Sequence, residues 1–223
     1  MNKKLILQAI GKFLLGLLLV GALLFVPAGS LRFWQGWLFL GILFIPMFGA
    51  GIVLMVKNPE LLKKRLDAKE EQSEQKAVLA LSAVMFPAAF IVAGLNFRFS
   101  RLVLPHWAVY IAAGVFLLAY ALYAEVLREN TYLSRTVEVQ ENQEVIDTGL
   151  YGIVRHPMYL STVLLFLSMP LVLGSVISFV IMLAYIPIIA KRIRNEEAVL
   201  EKELPGYAAY KQRVKYKVIP FIW

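Results

Sequence analysis

Long apolar runs constrain this chain more than any other feature of its sequence. The runs from about Leu5 to Val26 and from about Trp34 to Val56 each match the roughly 20 helical residues that cross about 30 Å of hydrocarbon. Two more follow, at about Ala77 to Leu95 and about Trp107 to Leu127. With 60% hydrophobic and only 17% charged residues, the chain is neither an ordinary water-soluble domain nor a disordered one. The sequence therefore predicts an all-α integral membrane protein.

A further apolar block, from about Met158 to Ala190, is too long for a single crossing. Pro170 and Gly174 interrupt it near its middle, which predicts two short helices joined by a tight turn at about Met169 to Ser175. Counted as two crossings, this hairpin brings the total to six. The first run also resembles the core of a signal peptide, but it exceeds the usual ~7–15 residues and a second crossing follows at once.

The cationic residues predict how the chain is oriented in the membrane. There are 23 Lys and Arg against 15 Asp and Glu, a net charge of +8. In a soluble protein this excess would suggest nucleic acid as a partner, but here the cations lie between apolar runs, as expected for cytoplasmic loops. They are concentrated near the N-terminus, in the polar segment Lys57 to Lys76 and from Lys191 onward. We therefore predict that both termini face the cytoplasm, in the plasma membrane if the source is bacterial, without a nucleic acid partner.

Several kinds of site are excluded or disfavoured by composition. Cysteine is absent, so disulfides, thiolate metal sites and cysteine nucleophiles are excluded, and no metal is expected. The apolar runs contain almost no ionisable groups, which disfavours a transport path. Polar residues are concentrated in the second half, which predicts a site facing the cytoplasm. We divide the chain into a four-span region, 1–127, and a region with the site and the hairpin, 128–223, within one structural domain.

The densest group of polar residues lies where a polar loop enters the hairpin, from Gly149 to Tyr159. Pro157 suits the first turn of a helix, where its missing N–H costs nothing. The free N–H groups of such a helix start would suit a carboxylate or a phosphate. Simple anchoring at the membrane interface remains the alternative for each residue of this group.

A second polar group follows the hairpin. Arg192 and Glu196 are four residues apart and so share a helix face, a spacing that is also common in surface ion pairs. Because both polar groups flank the same two membrane helices, they must approach each other at one membrane surface.

Together these residues carry a family pattern. The order is Gly149-x-Tyr151, Arg155-His156-Pro157-x-Tyr159, an apolar hairpin, Arg192, Glu196-Glu197 and Tyr207-x-x-Tyr210. This order resembles the isoprenylcysteine carboxyl methyltransferase family, which with the related phospholipid methyltransferases comprises integral-membrane enzymes that use S-adenosylmethionine. The resemblance covers about Gln140 to Phe221, whereas the first 125 or so residues resemble the family only as membrane spans.

The resemblance implies a role for each matching residue. It implies that Arg192 is the catalytic residue that holds the substrate. If the match to the family motif shifts by one residue, Glu197 takes the place of Glu196. The implied cofactor-binding residues are Gln140, Gln143, Glu144, Val145, Ile146, Tyr151, His156, Pro157, Met158, Tyr159 and Glu196.

The methyl acceptor stays open at this point. Arg192 fits a prenylcysteine carboxylate, which needs no general base, and it fits a phospholipid phosphate equally well. A bacterial source would favour a small lipophilic acid, a thiol or a phospholipid amine. An amine would require a base, for which His156 and the nearby carboxylates are the candidates. The expected partners are membrane lipids and a lipophilic or lipid-modified acceptor that enters laterally between helices.

Two other functions compete with a methyltransferase. A membrane reductase of the sterol type has a similar C-terminal arrangement but binds a nicotinamide cofactor. A small transporter or a membrane scaffold would not be an enzyme. A soluble methyltransferase fold is excluded, because the sequence lacks a βαβ pattern with a glycine-rich loop that opens a helix.

Overall fold

The fold is a bundle of helices. The computed structural model describes residues 3–67, 73–99, 102–130, 132–133 and 139–223. Within these residues the helices are α1 (Lys3–Ala28), α2 (Trp34–Lys57), α3 (Pro59–Asp67), α4 (Ser73–Phe99), α5 (His106–Glu129), α6 (Pro157–Val172), α7 (Val176–Met182), α8 (Tyr185–Glu203) and α9 (Tyr207–Arg213). A 3₁₀ turn spans Gly149–Gly152, and no strand occurs in these parts of the chain.

Length and composition confirm the predicted all-α membrane architecture. Five helical segments are long and apolar enough to cross a bilayer: α1, α2, the Ala80–Phe99 part of α4, α5, and α7 with α8 together. The shorter apolar α6 is the remaining predicted crossing. Many apolar side chains face outward, and Leu18, Ile45 and Leu118 are each at least 70% exposed. In a membrane these side chains lie against lipid.

The predicted hairpin is present, with its turn at Leu173 to Ser175. Pro170 lies inside α6 and not in the turn, whereas Gly174 adopts a positive φ of 71° there. The Ser175 hydroxyl oxygen accepts a hydrogen bond from the Ser178 N–H (3.1 Å) and so caps α7. The second arm is longer than the apolar block, because α8 continues beyond it to Glu203. The polar residues that follow the hairpin therefore lie on the same helix as its second arm.

Three short connections meet at one end of the bundle. The Leu104 N–H donates to the Gly174 carbonyl oxygen (3.0 Å), so the α4–α5 connection contacts the hairpin turn. Trp34 at the start of α2 packs against His106 at the start of α5, with ring centroids 5.1 Å apart. Six crossings of alternating direction require these three connections to lie at the same end of the bundle. The described parts of the longer polar segments, among them α3 and residues 139–156, lie at the opposite end.

One hydrophobic core joins the two halves of the chain. Phe39 of α2 packs against Phe90 of α4 and Phe116 of α5, with ring centroids 5.8 and 5.7 Å apart. At Gly94 a Cβ atom would lie 2.4 Å from the Leu24 carbonyl oxygen, so only glycine allows α1 and α4 to approach this closely. The same cluster extends through α6 and α8 as far as Val218 near the C-terminus.

At the other end of the bundle, the short helix α3 begins at Pro59, directly after Asn58. The Asn58 side-chain oxygen accepts from the Leu61 N–H at 3.1 Å, as an N-cap residue does. Leu61 and Leu62 are buried. The rest of the polar segment from Lys57 to Lys76 includes residues 68–72, which lie outside the described residues.

Candidate functional site

The start of α6 is held by the last residues of the chain. The Arg155 N–H donates to the Tyr216 carbonyl oxygen (2.9 Å), and the His156 N–H donates to the Lys217 carbonyl oxygen (2.7 Å). Pro157 occupies the first turn of α6, as its sequence position predicts. This backbone pairing fixes where Arg155 and His156 point.

A glycine joins the end of α5 to the 3₁₀ turn that precedes α6. Gly149 has a φ of 51°, and a Cβ atom on it would lie 1.6 Å from a carboxylate oxygen of Glu129. That carboxylate accepts hydrogen bonds from the Leu150 N–H at 3.0 and 3.2 Å. Only glycine fits here, and the contact fixes the position of the turn that carries Tyr151.

Tyr151 connects three elements of the site. Its hydroxyl oxygen accepts from the Asn130 side-chain amide (3.0 Å), and its carbonyl oxygen accepts from the Tyr210 hydroxyl (2.7 Å). Burial raises the pKa of the Tyr151 and Tyr210 phenols well above the ordinary value for tyrosine. The two hydrogen bonds join the 3₁₀ turn to the end of α5 and to α9.

Arg192 and Glu196 of α8 meet through Tyr159 of α6. The Tyr159 hydroxyl donates to the Glu196 carboxylate, and the Arg192 Nε–H donates to the Tyr159 hydroxyl oxygen (3.1 Å). The predicted approach of the two polar groups is thus observed, and the shared helix face of Arg192 and Glu196 is as expected. The Tyr159 hydroxyl thus contacts both side chains.

The neighbouring Glu197 belongs to a different cluster. Its side chain is 5% exposed and contacts Arg155 Nε and Nη2 (both 2.8 Å), His156 Nε2 (3.2 Å) and Lys217 Nζ (3.0 Å). The Arg155 guanidinium also donates to the Val214 and Lys215 carbonyl oxygens at 2.6 and 2.8 Å. Glu197 therefore stabilises the chain around His156, whereas Glu196 faces the pocket.

A pocket lies between these elements, with about 840 Å³ of empty space including the part open to solvent. Ten of the predicted site residues line it: Gln143, Glu144, Val145, Ile146, Tyr151, His156, Met158, Tyr159, Arg192 and Glu196. The other two lie beside it. The Gln140 N–H donates to the Gln143 side-chain oxygen (2.9 Å), and Pro157 is fully buried in the first turn of α6.

The pocket also has walls that the sequence did not predict as site residues. They are Asn130, Tyr132, Leu133, Arg155, Val199, Leu200, Leu204, Tyr207 and Tyr210. The Tyr207-x-x-Tyr210 spacing was visible in the sequence, but nothing indicated which tyrosine faces a ligand. No local pattern could have identified Asn130, because it is separated from its partner Tyr151 by 21 residues. Among the described residues, no group of three or more His, Asp or Glu side chains is placed to hold a metal ion.

Comparison with known families supports a membrane methyltransferase. Residues 108–202 match the model of the isoprenylcysteine carboxyl methyltransferase family. The match confirms the resemblance predicted from the motifs, and it begins further upstream, within α5. It covers the pocket residues up to Leu200 and ends before Tyr207.

A curated relative is similar over a shorter stretch. The chain is 28% identical over 91 residues to the Delta(14)-sterol reductase TM7SF2 of Mus musculus. The similarity covers 40% of this chain and 22% of the reductase, so the chain spans less than a quarter of that protein.

Proposed function

We propose, from the premise that residues 108–202 carry the sequence pattern of the isoprenylcysteine carboxyl methyltransferase family, that this protein is an S-adenosylmethionine-dependent membrane methyltransferase. Its acceptor is lipophilic or amphiphilic, most like a carboxylate of the isoprenylcysteine type, as the family's description suggests. The observation that carries the proposal is the pocket joining His156, Tyr159, Arg192 and Glu196 where the membrane helices meet the polar segments. A membrane-embedded acceptor and a water-soluble cofactor can both reach such a position.

The pocket residues fit the chemical groups of this cofactor. The Glu196 carboxylate is an acceptor for ribose hydroxyls or for an ammonium group. The positive end of the α6 dipole favours the cofactor's carboxylate. Apolar side chains at the other end, among them Val145 and Leu204, provide a surface for a flat base. When bound, the cofactor supplies an electrophilic methyl group on a sulfonium.

Binding and orientation are the main tasks of the chain's own residues, because methyl transfer is an in-line displacement that depends on positioning and electrostatics. Arg192 holds the anionic group of the acceptor, and its Nε–H bond to Tyr159 restricts where the guanidinium points. Tyr159 restricts Glu196 at the same time. The Tyr159 hydroxyl therefore contacts both the acceptor-binding and the cofactor-binding side chain and helps to set their relative position.

A carboxylate acceptor carries no proton to be removed, so this arrangement needs no base. For an amine or thiol acceptor, His156 is the candidate proton acceptor, since its Nε2 lies 3.2 Å from Glu197 and its Nδ1 lies 3.9 Å from Glu196. Phospholipids and small lipophilic amines or thiols therefore remain the alternative acceptors. We also propose that both termini and the pocket face the cytoplasm, where the cofactor would be available.

A second candidate function is a membrane oxidoreductase, favoured by the similarity to the sterol reductase. It would use the same pocket for a nicotinamide cofactor. The non-enzymatic alternative, a transporter or scaffold, predicts instead that Tyr159 and Glu196 can be replaced without loss of function.

The proposal is tested by following labelled methyl groups from S-adenosylmethionine into a panel of acceptors with purified protein in liposomes. The panel contains a farnesylated cysteine derivative, a phospholipid amine, a lipophilic thiol and a total lipid extract. We expect labelling of at least one acceptor, lost in Glu196→Gln and Arg192→Gln and retained in Glu203→Gln, a matched control at the exposed end of α8. Folded protein that labels none of them would contradict the proposal.

A further inference from the structure

Tyr207 has a buried hydroxyl in the pocket wall. The residue is 4% exposed, and its hydroxyl oxygen finds no hydrogen-bond partner within the described parts of the chain. Buried hydroxyls are nearly always paired, because the loss of hydrogen bonds to water is costly. An unpaired buried hydroxyl on a side chain that lines a pocket therefore makes Tyr207 a candidate for binding a ligand.

Tyr210 provides an internal comparison one helical turn away. Both tyrosines are buried on α9, both line the pocket, and their ring centroids are 5.7 Å apart. The Tyr210 hydroxyl, however, donates to the Tyr151 carbonyl oxygen at 2.7 Å. Tyr210 thus has a structural partner, whereas Tyr207 has none among the residues described.

The position of Tyr207 indicates which part of a ligand it would meet. The pocket follows α8 from Arg192 to Leu200, and these 8 positions correspond to about 12 Å of helix. The Arg192 end is charged. The other end is formed by the cluster of Leu204, Tyr207, Tyr210 and Val214, against which Val139, Val145 and Leu200 pack. This end suits an uncharged, flat group.

The charge state of the hydroxyl is consistent with such a ligand group. Burial, and secondarily the negative charges of Glu197 and Glu196, raise the pKa of Tyr207 well above its ordinary value. A tyrosine phenol is protonated at physiological pH even at its ordinary pKa, so this hydroxyl can both donate and accept a hydrogen bond. Ring nitrogens and hydroxyls of a nucleoside offer suitable partners.

We propose that the Tyr207 hydroxyl binds the nucleoside half of the cofactor. The inference rests on the proposed function only in requiring a ligand with an adenosyl group. It assigns the charged end of the pocket, with Arg192 and Glu196, to the amino-acid half of the cofactor and to the acceptor. It also adds to the site a residue that lies beyond the matched stretch 108–202.

The test compares Tyr207→Phe with the matched variant Tyr210→Phe in purified full-length protein. The probes are S-adenosylhomocysteine and 5′-methylthioadenosine, which keeps the nucleoside but lacks the amino-acid half. For Tyr207→Phe we expect the affinity for both probes to fall by the same factor, about 3- to 10-fold. Its ligand-free thermal midpoint should be unchanged or higher, because an unpaired buried hydroxyl has been removed. Tyr210→Phe should instead lower the ligand-free midpoint.

Three results would overturn the inference. The first is an unchanged affinity of Tyr207→Phe for S-adenosylhomocysteine. The second is a Tyr207→Phe variant with a lower affinity for S-adenosylhomocysteine but an unchanged affinity for methylthioadenosine. A parent protein that does not bind methylthioadenosine would count in the same way. The third is a thermal midpoint lowered as in Tyr210→Phe, which would mean that the hydroxyl has a structural partner. Folded parent protein that does not bind S-adenosylhomocysteine would contradict the proposed function itself.

Discussion

Tyr159 of α6 donates its phenolic hydrogen to the Glu196 carboxylate of α8 and accepts one from the Arg192 Nε–H at 3.1 Å. One hydroxyl thus connects the two arms of the membrane hairpin at the pocket. Because α8 is continuous with the second arm, the positions of Arg192 and Glu196 depend on how the hairpin packs in the membrane. The packing of the hairpin within the membrane therefore determines the geometry of the site.

Replacing Tyr159 by Phe tests this connection. We expect S-adenosylhomocysteine to bind about 10-fold more weakly, because the Tyr159 hydroxyl no longer holds Arg192 and Glu196 in the position where they meet the ligand. Tyr185→Phe is the matched control, since that buried tyrosine donates to the Thr162 hydroxyl (3.0 Å). Calorimetric titration measures both variants. Equal affinity losses in the two would mean that Tyr159 has no special role.

Replacing Glu197 by Gln tests the buried ion cluster. Removing this carboxylate leaves the charges of Arg155 and Lys217 uncompensated, so we expect a loss of about 3–5 kcal/mol in stability. Glu125→Gln is the control, because its ion pair with Arg128 is exposed and should contribute little. Thermal unfolding in detergent measures the difference. If Glu197→Gln unfolds at the parent's midpoint, the cluster does not stabilise the chain around His156.

A third prediction concerns Gly149. An added methyl group would collide with the Glu129 carboxylate, and the positive φ would itself cost about 1–2 kcal/mol. Gly149→Ala should therefore shift the turn that carries Tyr151 and weaken S-adenosylhomocysteine binding. In the control Gly114→Ala, the added methyl group meets nothing within 4 Å, so S-adenosylhomocysteine binding should be unchanged. If Glu129 is also replaced in the Gly149→Ala variant, the lost affinity for S-adenosylhomocysteine should be restored only in part, because the backbone strain at the positive φ remains.

A fourth prediction concerns orientation in the membrane. The chain has no cysteine, so single cysteines can be introduced into an otherwise unreactive background. Ser30→Cys, in the α1–α2 turn, should react with a membrane-impermeant reagent added to intact cells. Gln212→Cys, exposed on α9, should react only after the membrane is opened. The reverse pattern would place the pocket on the outer side.

Much of the fold followed from the sequence because it depends on local patterns. Apolar run length predicted the crossings, and Gly174 marked the hairpin turn. The spacing of Arg192 and Glu196 predicted that they share a helix face. Because they follow the same hairpin that Tyr159 precedes, the sequence also predicted that they approach Tyr159. These inferences need only helix periodicity and bilayer thickness.

The remainder depends on contacts between distant segments. No sequence spacing relates Arg155 to Tyr216 or Asn130 to Tyr151, yet these contacts shape the pocket. The choice between Glu196 and Glu197 was open because adjacent helical residues differ by about 100° in direction. Only the packing of α8 against α6 and the chain end showed which of them faces the pocket. The hydroxyl of Tyr207 could not be identified as unpaired before its surroundings were known.

The cofactor is identified by a calorimetric titration of purified protein with S-adenosylhomocysteine and, separately, with NADPH. We expect S-adenosylhomocysteine to bind, with an affinity that is weakened in Glu196→Gln and His156→Ala and unchanged in Glu203→Gln. We expect NADPH to bind much more weakly. Binding of NADPH without binding of S-adenosylhomocysteine, by protein shown to be folded, would contradict the methyltransferase and favour the reductase.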